Sequence, residues 1–576
     1  MATTASSKRK KQQRQATVRI AIMLAILVCV NMLAARFHYG FDLTKEKRFT
    51  LSEPTKDMLR EMKGTAVVTV YLQGKFPAGF QRLQEATRER LTSFKEYAGN
   101  HVVYRFIDPF EGKSENEKAA LYKQFGDKGI EPVNLSIKSS SDYTQQIIIP
   151  YAVVSYNGRE LPVKLLETHL GLSDKEQLNN SESLLEYKLA DAIHKLMSPD
   201  KAEIAYVMGN GEVLGERTYD ALTTLQKLYR VDTIDLKSGA AIPTVYKTII
   251  INRPTVPFDD KDKFKLDQYI MYGGHVLWLI DPLNAPVDSL RNSQQFITSE
   301  YNLNLDDQLF KYGVRINNDL IEDLQCNKIP VIQEGSTADQ PQYDFNNWYY
   351  LPVFTPSSHH PIVNNMDAIM GFFVSSMDTI ANPEVKKTIL LESSNYSRVT
   401  PSPVRVSLAM TKFAPRPELF NKPFQPVAVL LEGKFQSVFQ NRLAPSFLKV
   451  LSDSLKQPFK AQSDTTGSMI VISDGDMLLN EFSQNQGMLE MGYWRFPPTR
   501  YANKAFFLNC IEYLTDHSGL LEARSKDLRL RLLDAGRVGK ERTLWQFVNI
   551  GIPIILVLIF AACYLFFRKR RYEKIK

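Results

Sequence analysis

Residues 206–212 read Tyr-Val-Met-Gly-Asn-Gly-Glu, so Gly209, Asn210, Gly211 and Glu212 follow directly on an apolar run and precede an amphipathic stretch. A glycine loop between a strand and a helix can cradle a phosphate on backbone amides or carry a nucleophile at a sharp turn. This loop has neither the lysine-terminated spacing of a nucleotide-triphosphate loop nor the three spaced glycines of a dinucleotide fingerprint. Read structurally, Gly209 and Gly211 allow a tight turn, and Glu212 complements a helix N-terminus. Parallel sheets bind ligands at the carboxyl ends of their strands. Gly209, Asn210, Gly211 and Glu212 are therefore the candidate ligand-binding residues, suited to a polar peptide or a glycan.

Other clusters point away from catalysis. Of the four cysteines, Cys29 and Cys563 fall in long apolar stretches and Cys326 and Cys510 do not. They show no Cys-x-x-Cys or Cys/His spacing for zinc, and spacing leaves open whether Cys326 and Cys510 pair. Asp474-Gly475-Asp476 lacks the further oxygen ligands of a calcium loop and reads as a turn after a strand. His359-His360-Pro361 reads as loop surface, and His194 as a histidine near an apolar stripe. The run at 348–354, Trp-Tyr-Tyr-Leu-Pro-Val-Phe, is either core or an exposed patch that would mark an interface. No catalytic residue, metal ligand or cofactor is assigned.

The elements that position these residues begin and end at a membrane. Residues 18–37 and 544–567 are each long and apolar enough to span a bilayer. Lys8, Arg9, Lys10, Lys11, Arg14 and Arg19 accompany the first stretch without an acid. Arg568, Lys569, Arg570, Arg571, Lys574 and Lys576 follow the second against Glu573 alone. Basic flanks stay cytoplasmic, so two spans put both termini inside and the intervening body in the periplasm, with the protein in the inner membrane. The whole chain carries +8; the first tail together with Arg19 holds +6 and the last tail +5, leaving the remainder at −3. The basic balance belongs to the tails, which argues against a nucleic-acid partner.

The chain divides into a basic tail (1–17), a span (18–37), a juxtamembrane segment (38–63), a first domain (64–170), a connecting helix (171–198), a second domain (199–518), a juxtamembrane segment (519–543), a span (544–567) and a basic tail (568–576). The first domain reads strand, helix near 80–97, strand, then a strand near 133–138 and a hairpin turning at Asn157-Gly158. That order resembles a thioredoxin-like domain, with Gln73-Gly74-Lys75-Phe76-Pro77 where a reactive dithiol would stand. The connecting helix is expected over 181–197. The second domain alternates apolar strands and amphipathic helices, the pattern of a parallel sheet covered on both faces. An insertion is expected at about 285–425, helical where it begins near 294. Leu528, Leu530, Leu532 and Leu533 among arginines suit a helix near the membrane surface.

Taken in order, "KRFTLSEPTKDML", "VYLQGKFPAGFQRL", "YRFIDP", "YVMGNGE", "YGGHVLWLIDP", "MIVISDGDM" and "NKAFFLNCIEYL" resemble the GldG family, auxiliary (substrate-binding) subunits of ABC transporters in gliding motility of Bacteroidetes. The resemblance implies an α/β fold: two transmembrane helices flank a thioredoxin-like domain and a class I glutamine-amidotransferase-like, intraflagellar-transport-type parallel-sheet domain. It implies an ABC permease subunit and a cytoplasmic ATPase subunit as partners, with a periplasmic or envelope protein beyond them. Amidotransferase chemistry needs a cysteine at a glycine-flanked elbow. Neither Cys326 in "DLQCNKIP" nor Cys510 in "FLNCIEYL" sits at one. The expected function is a non-catalytic subunit coupling permease movement to envelope partners. A solute-, peptide- or glycan-binding module and an unrecognised hydrolase are the alternatives.

Overall fold

The computed structural model describes residues 17–32 and 50–573, apart from 75, 139–142, 169–172, 199, 287–289, 291–292, 334–341, 454–456, 484–486, 517 and 526–534. It forms two units, Met1–Asp527 and Leu528–Lys576. The first unit starts with a short apolar helix, α1 (Thr17–Met32). The end of the first expected span, 33–37, and the leucines at 528–533 lie outside the described residues.

The folded body begins at α2 (Glu53–Arg60), which Ser52 precedes in extended backbone and Pro54 enters in the first turn. A four-stranded sheet follows. Its strands are β1 (Ala66–Val70), β2 (Val102–Phe106), β5 (Tyr151–Tyr156) and β6 (Arg159–Lys164), in the order β2-β1-β5-β6. β1 runs parallel to β2 because α3 (Ala78–Ala98) crosses over between them; β5 is antiparallel to β1, pairing Val68 with Val154. Between β2 and β5 stand α4 (Glu115–Asp127) and a separate hairpin, β3 (Val133–Lys138) with β4 (Tyr143–Ile148).

Helix α5 (Asp174–Met197) starts well before residue 181, because Ser173 and Glu176 form a capping box there. It leads into β7 (Glu203–Met208), α6 (Tyr219–Leu228), β8 (Arg230–Asp235), β9 (Thr248–Asn252), α7 (Asp260–Met271) and β10 (His275–Leu279). After α8 (Asp306–Tyr312) come β11 (Val385–Glu392), β12 (Pro426–Gly433) and β13 (Gly467–Ile472), then α9 (Asn503–Thr515). The seven strands lie in the order β11-β12-β13-β10-β9-β7-β8. Five neighbouring strands are mutually parallel, and at one edge β12 runs against β13 and β11 against β12.

The central strands are continuously apolar because both faces are covered. Ile204, Tyr206, Ile250 and Leu277 pack on one face with Leu225 of α6 and Cys510 and Ile511 of α9. Ala205, Val207, Ile251 and Trp278 pack on the other with Leu266 and Ile270 of α7. The protein is thus a mixed α/β chain built on a largely parallel sheet.

Two expectations need correction. The stretch from Gln294 begins as strand Gln295–Ile297, paired with Arg405–Ser407, and becomes helical only at Asp306. Its alternation of Phe296 and Thr298 inward satisfies a strand, and the pairing partner over a hundred residues away is invisible locally. Within 285–425, β11 belongs to the main sheet. Apart from α8, the described strands in the rest of that stretch form small antiparallel sheets of two or three strands; Trp348, Tyr350 and Leu351 are buried there, which settles the aromatic run as core.

The described part of the second unit is the helix α10 (Ala535–Glu573). Its segment Glu541–Arg570 is the one helix among the described residues long and apolar enough to cross a membrane.

Candidate functional site

β7 has β8 on one side and β9 on the other, so strand order reverses at its carboxyl end and opens the crevice where such sheets bind ligands. Residues 209–212 stand there. Gly209 and Gly211 both have positive φ, 121° and 80°, which a side chain would oppose. A β-carbon on Gly209 would also lie 2.8 Å from Asp235 Oδ1. The carbonyl of Asn210 accepts the amides of Thr255 and Val256, each at 2.9 Å. Its own amide donates to Glu212 Oε2 at 2.7 Å, so the carboxylate of the loop occupies a donor that an anionic ligand would use. Burial pushes the Glu212 carboxyl upward, and the amides of Glu212 and Asn210 pull it back. Asn210 Oδ1, Glu212 Oε1 and both amide atoms of Asn252 are buried without a hydrogen-bond partner.

The neighbouring strand ends are knit by charge. Arg253, at φ 52°, follows β9 and points Nε at Asp281 Oδ2 (2.9 Å) and Asp476 Oδ1 (3.4 Å). The amide of Gly475 donates to Asp281 Oδ1 at 2.6 Å. Asp474 Oδ1 accepts the amides of Asp476 and Met477, and its Oδ2 accepts that of Phe372. Burial, then the Asp476 charge, lifts the Asp281 carboxyl to about 7 against the pull of Arg253. Asp474 is held far above the carboxylate range by burial and by both neighbouring acids. The Asp-Gly-Asp turn is therefore an internal latch on the β10 and β9 ends. Sequence reasoning missed Arg253 and Asp281; the signal was a charged residue ending each apolar strand, in "IINRP" and "WLIDP".

Residues that could do nucleophilic work are muted. Cys510 is buried in α9 and Cys326 half-buried in strand Cys326–Ile332; both are free thiols. Burial, with Asp323 nearby, raises Cys326 to about 12, and burial alone raises Cys510. Ser473 donates its hydroxyl to the carbonyl of Ser375 at 2.6 Å. Among the described residues, no group of three or more His, Cys, Asp or Glu side chains could hold a metal.

A second constellation gathers around α5. Leu185, Leu189 and Ile193 enter the core of the first domain while Tyr187 enters that of the second, so one helix belongs to both. Glu186, 1% exposed, accepts the amide of Ser52 at 2.6 Å and lies 3.3 Å from Arg90 of α3. Toward the second domain, Tyr187 donates to Glu512 Oε1 at 2.8 Å. Lys195 bridges Glu512 Oε2 (2.9 Å) and Asp191 Oδ2 (2.7 Å). Burial and the Glu512 charge raise the Asp191 carboxyl to about 7, opposed by Lys195. His194 Nδ1 lies 3.5 Å from Asp516 Oδ2.

The short 3-10 turn Leu520–Ser525 returns to the same helix. Leu520 joins the core that holds Leu51, Met58 and Leu59, and Arg524 lies over the Tyr187 ring, 5.1 Å from its centre. This part of the juxtamembrane segment 519–543 is thus packed into the body. Leucine and alanine at 520, 521 and 523 find an apolar seat that a local reading does not show.

Comparison with known proteins adds the family. Residues 201–510 match a family described as an ABC-type uncharacterized transport system, ABC_transp_aux, and residues 45–155 match a domain of unknown function, DUF7088. An uncharacterized protein of Borreliella burgdorferi is 20% identical over 458 residues, covering 77% of this chain and 82% of that protein. Among solved structures, the mmIFT52 N-terminal domain aligns at 11% identity over 54% of this chain and 97% of its own, with a TM-score of 0.30. An exo-beta-1,4-mannosidase from Opitutaceae bacterium strain TAV5 aligns at 12% identity over 52% and 35%, with a TM-score of 0.18. Both likenesses are too loose to define a shared fold. The transport-system match takes in more than half of the sequence: the chain belongs to the ABC_transp_aux family of ABC-type transport system auxiliary components.

Proposed function

We propose that this auxiliary component is a non-catalytic subunit, anchored by two spans, that carries permease movement into a periplasmic body and so to an envelope partner. Its direct partners are an ABC permease and a cytoplasmic ATPase, and gliding motility of the GldG type is the process it serves. The observation that carries the reading is that the chain enters the body at Leu51 and leaves it at Leu520 in one shared core, both against α5. Ties that converge on a helix common to both domains move the body as one piece; ties at opposite ends would let it flex.

The order β2-β1-β5-β6 supports a thioredoxin-like reading of the first domain, and the parallel sheet supports an amidotransferase-like shape for the second. The raised thiols of Cys326 and Cys510, both in the second domain, support the absence of thiol chemistry there. The test is to purify the full chain from native membranes and identify what accompanies it. Recovery of a permease and an ATPase is expected. Recovery of the chain alone from gently solubilised membranes would sink the reading.

A second reading keeps the strand-end crevice as a solute site, favoured by the buried, unpartnered Asn210 Oδ1 and Glu212 Oε1. Ligand-dependent thermal stabilisation that disappears in Glu212→Gln would support it, since binding only the folded state raises stability.

A further inference from the structure

A cleft of about 970 Å³ opens between α8, the strand Val314–Ile316 and the loop 437–442 that follows β12. That is the upper end of the roughly 300–1,000 Å³ usual for ligand pockets, enough for a chain of several rings. Both of its arginines are already paired with acids, and its lysine with an amide. Arg442 lies 3.2 Å from Asp307 Oδ2, Lys311 donates to Gln436 Oε1 at 3.0 Å, and Arg315 pairs with Asp378. The lining side chains that remain without a partner are three neutral amides, Asn318, Gln440 and Asn441, and the carboxylate of Asp306. Among them stands Phe310, 51% exposed, an aromatic ring facing solvent, with Ile316 and Val438 the other apolar residues of the lining.

This inventory selects a ligand class. Binding an anion favours a cluster of uncompensated cations; here both arginines are paired with carboxylates, and Lys311, bonded to a neutral amide, shares the lining with the carboxylate of Asp306. Side-chain amides offer donors and an acceptor together, and a carboxylate accepts from two adjacent hydroxyls. A sugar presents adjacent hydroxyls, each donor and acceptor, beside a face of C–H bonds that packs on an aromatic ring. We propose that this cleft binds a neutral oligosaccharide, with Phe310 under one ring and Asn318, Gln440, Asn441 and Asp306 holding its hydroxyls. The proposal goes beyond the coupling reading by naming what the body grips, and its test does not involve the permease.

The test uses the full chain in a detergent without a sugar headgroup. Chitohexaose and cellohexaose are titrated by calorimetry and by saturation-transfer NMR, with a neutral alanine–glycine decapeptide alongside. At least one hexaose is expected to bind, about tenfold more weakly in Phe310→Ala and in Asn318→Ala/Asn441→Ala. Binding is expected to be unchanged in Phe413→Ala, an exposed ring outside the cleft. Phe310 is exposed, so its replacement leaves the fold in place, and an unchanged melting temperature checks this. The proposal is overturned if neither hexaose binds, if Phe310→Ala binds as well as the parent, or if the decapeptide displaces the sugar from this cleft.

Discussion

A β-carbon placed on Gly519 would stand 3.4 Å from Cγ of Pro54, so the turn that takes the chain out of the body rests on the helix that brings it in. Gly519 holds φ at 73°, which lets the chain bend back at that point. The two connections to the apolar ends of the sequence are therefore a single packed junction, and it can be tested as one.

Leu520→Ala should loosen both connections at once. Leu520 is 1% exposed, and truncating a core leucine costs about 2–5 kcal/mol. Hydrogen exchange should accelerate over residues 50–62 as well as 519–525, although these stretches are far apart in sequence. Acceleration confined to 519–525 would mean that the junction is not a unit.

The contact between the domains should weaken as pH rises. Asp191 sits near 7 in the folded chain against an ordinary value of 3.8, because it is buried beside Glu512. A carboxyl raised on folding contributes stability that is full below its unfolded value and is lost as pH climbs through its folded one. The window is therefore about pH 4 to 7, with a slope of up to about 1.4 kcal/mol per pH unit. Denaturant melts across this window should show the parent losing stability relative to Asp191→Asn. Parallel curves for the two proteins would contradict the assignment.

The latch at the strand ends depends on a missing side chain. A β-carbon at Gly475 would lie 2.8 Å from both Cβ and Cγ of Arg253 and 2.9 Å from Asp281 Oδ2. Gly475→Ala should destabilise by about 1–3 kcal/mol through overpacking. Gly126→Ala, in α4 with open space around it, should be neutral or stabilising. Thermal melts should place Gly475→Ala below the parent and Gly126→Ala at or above it, and equal shifts would refute the steric account.

Neither thiol of the body should react while it is folded. Thiolate is the attacking species, and Cys326 near 12 holds almost none of it at neutral pH. With Cys29 and Cys563 replaced by serine, maleimide should label Cys326 and Cys510 only in denaturant. Rapid labelling of the native protein would show that either side chain is more open than its burial indicates.

Much of this protein could be read along the chain, because the relevant physics is periodic or local. Unbroken apolar strands such as "TIIIN" and "HVLWL" announce a sheet buried on both faces, and Ser52 ahead of Glu53-Pro54 announces a helix start. The long uncharged stretch at 544–567 announces a helix that can cross a membrane. The glycines at 209 and 211 were legible as a turn, since positive φ favours glycine over any side chain.

Other features depend on partners remote in sequence. Nothing near Gln294 reveals that residues 405–407 will pair with the strand beginning beside it, and nothing near Leu520 reveals a seat beside Leu51. Arg253 is an ordinary surface charge until Asp281 and Asp476 arrive in the loops that follow other strands. Local propensity and hydrophobic period act over a few residues and so write secondary structure into the sequence. Burial, pairing and shifted ionisation arise from distant groups brought together, and only the tertiary fold supplies them.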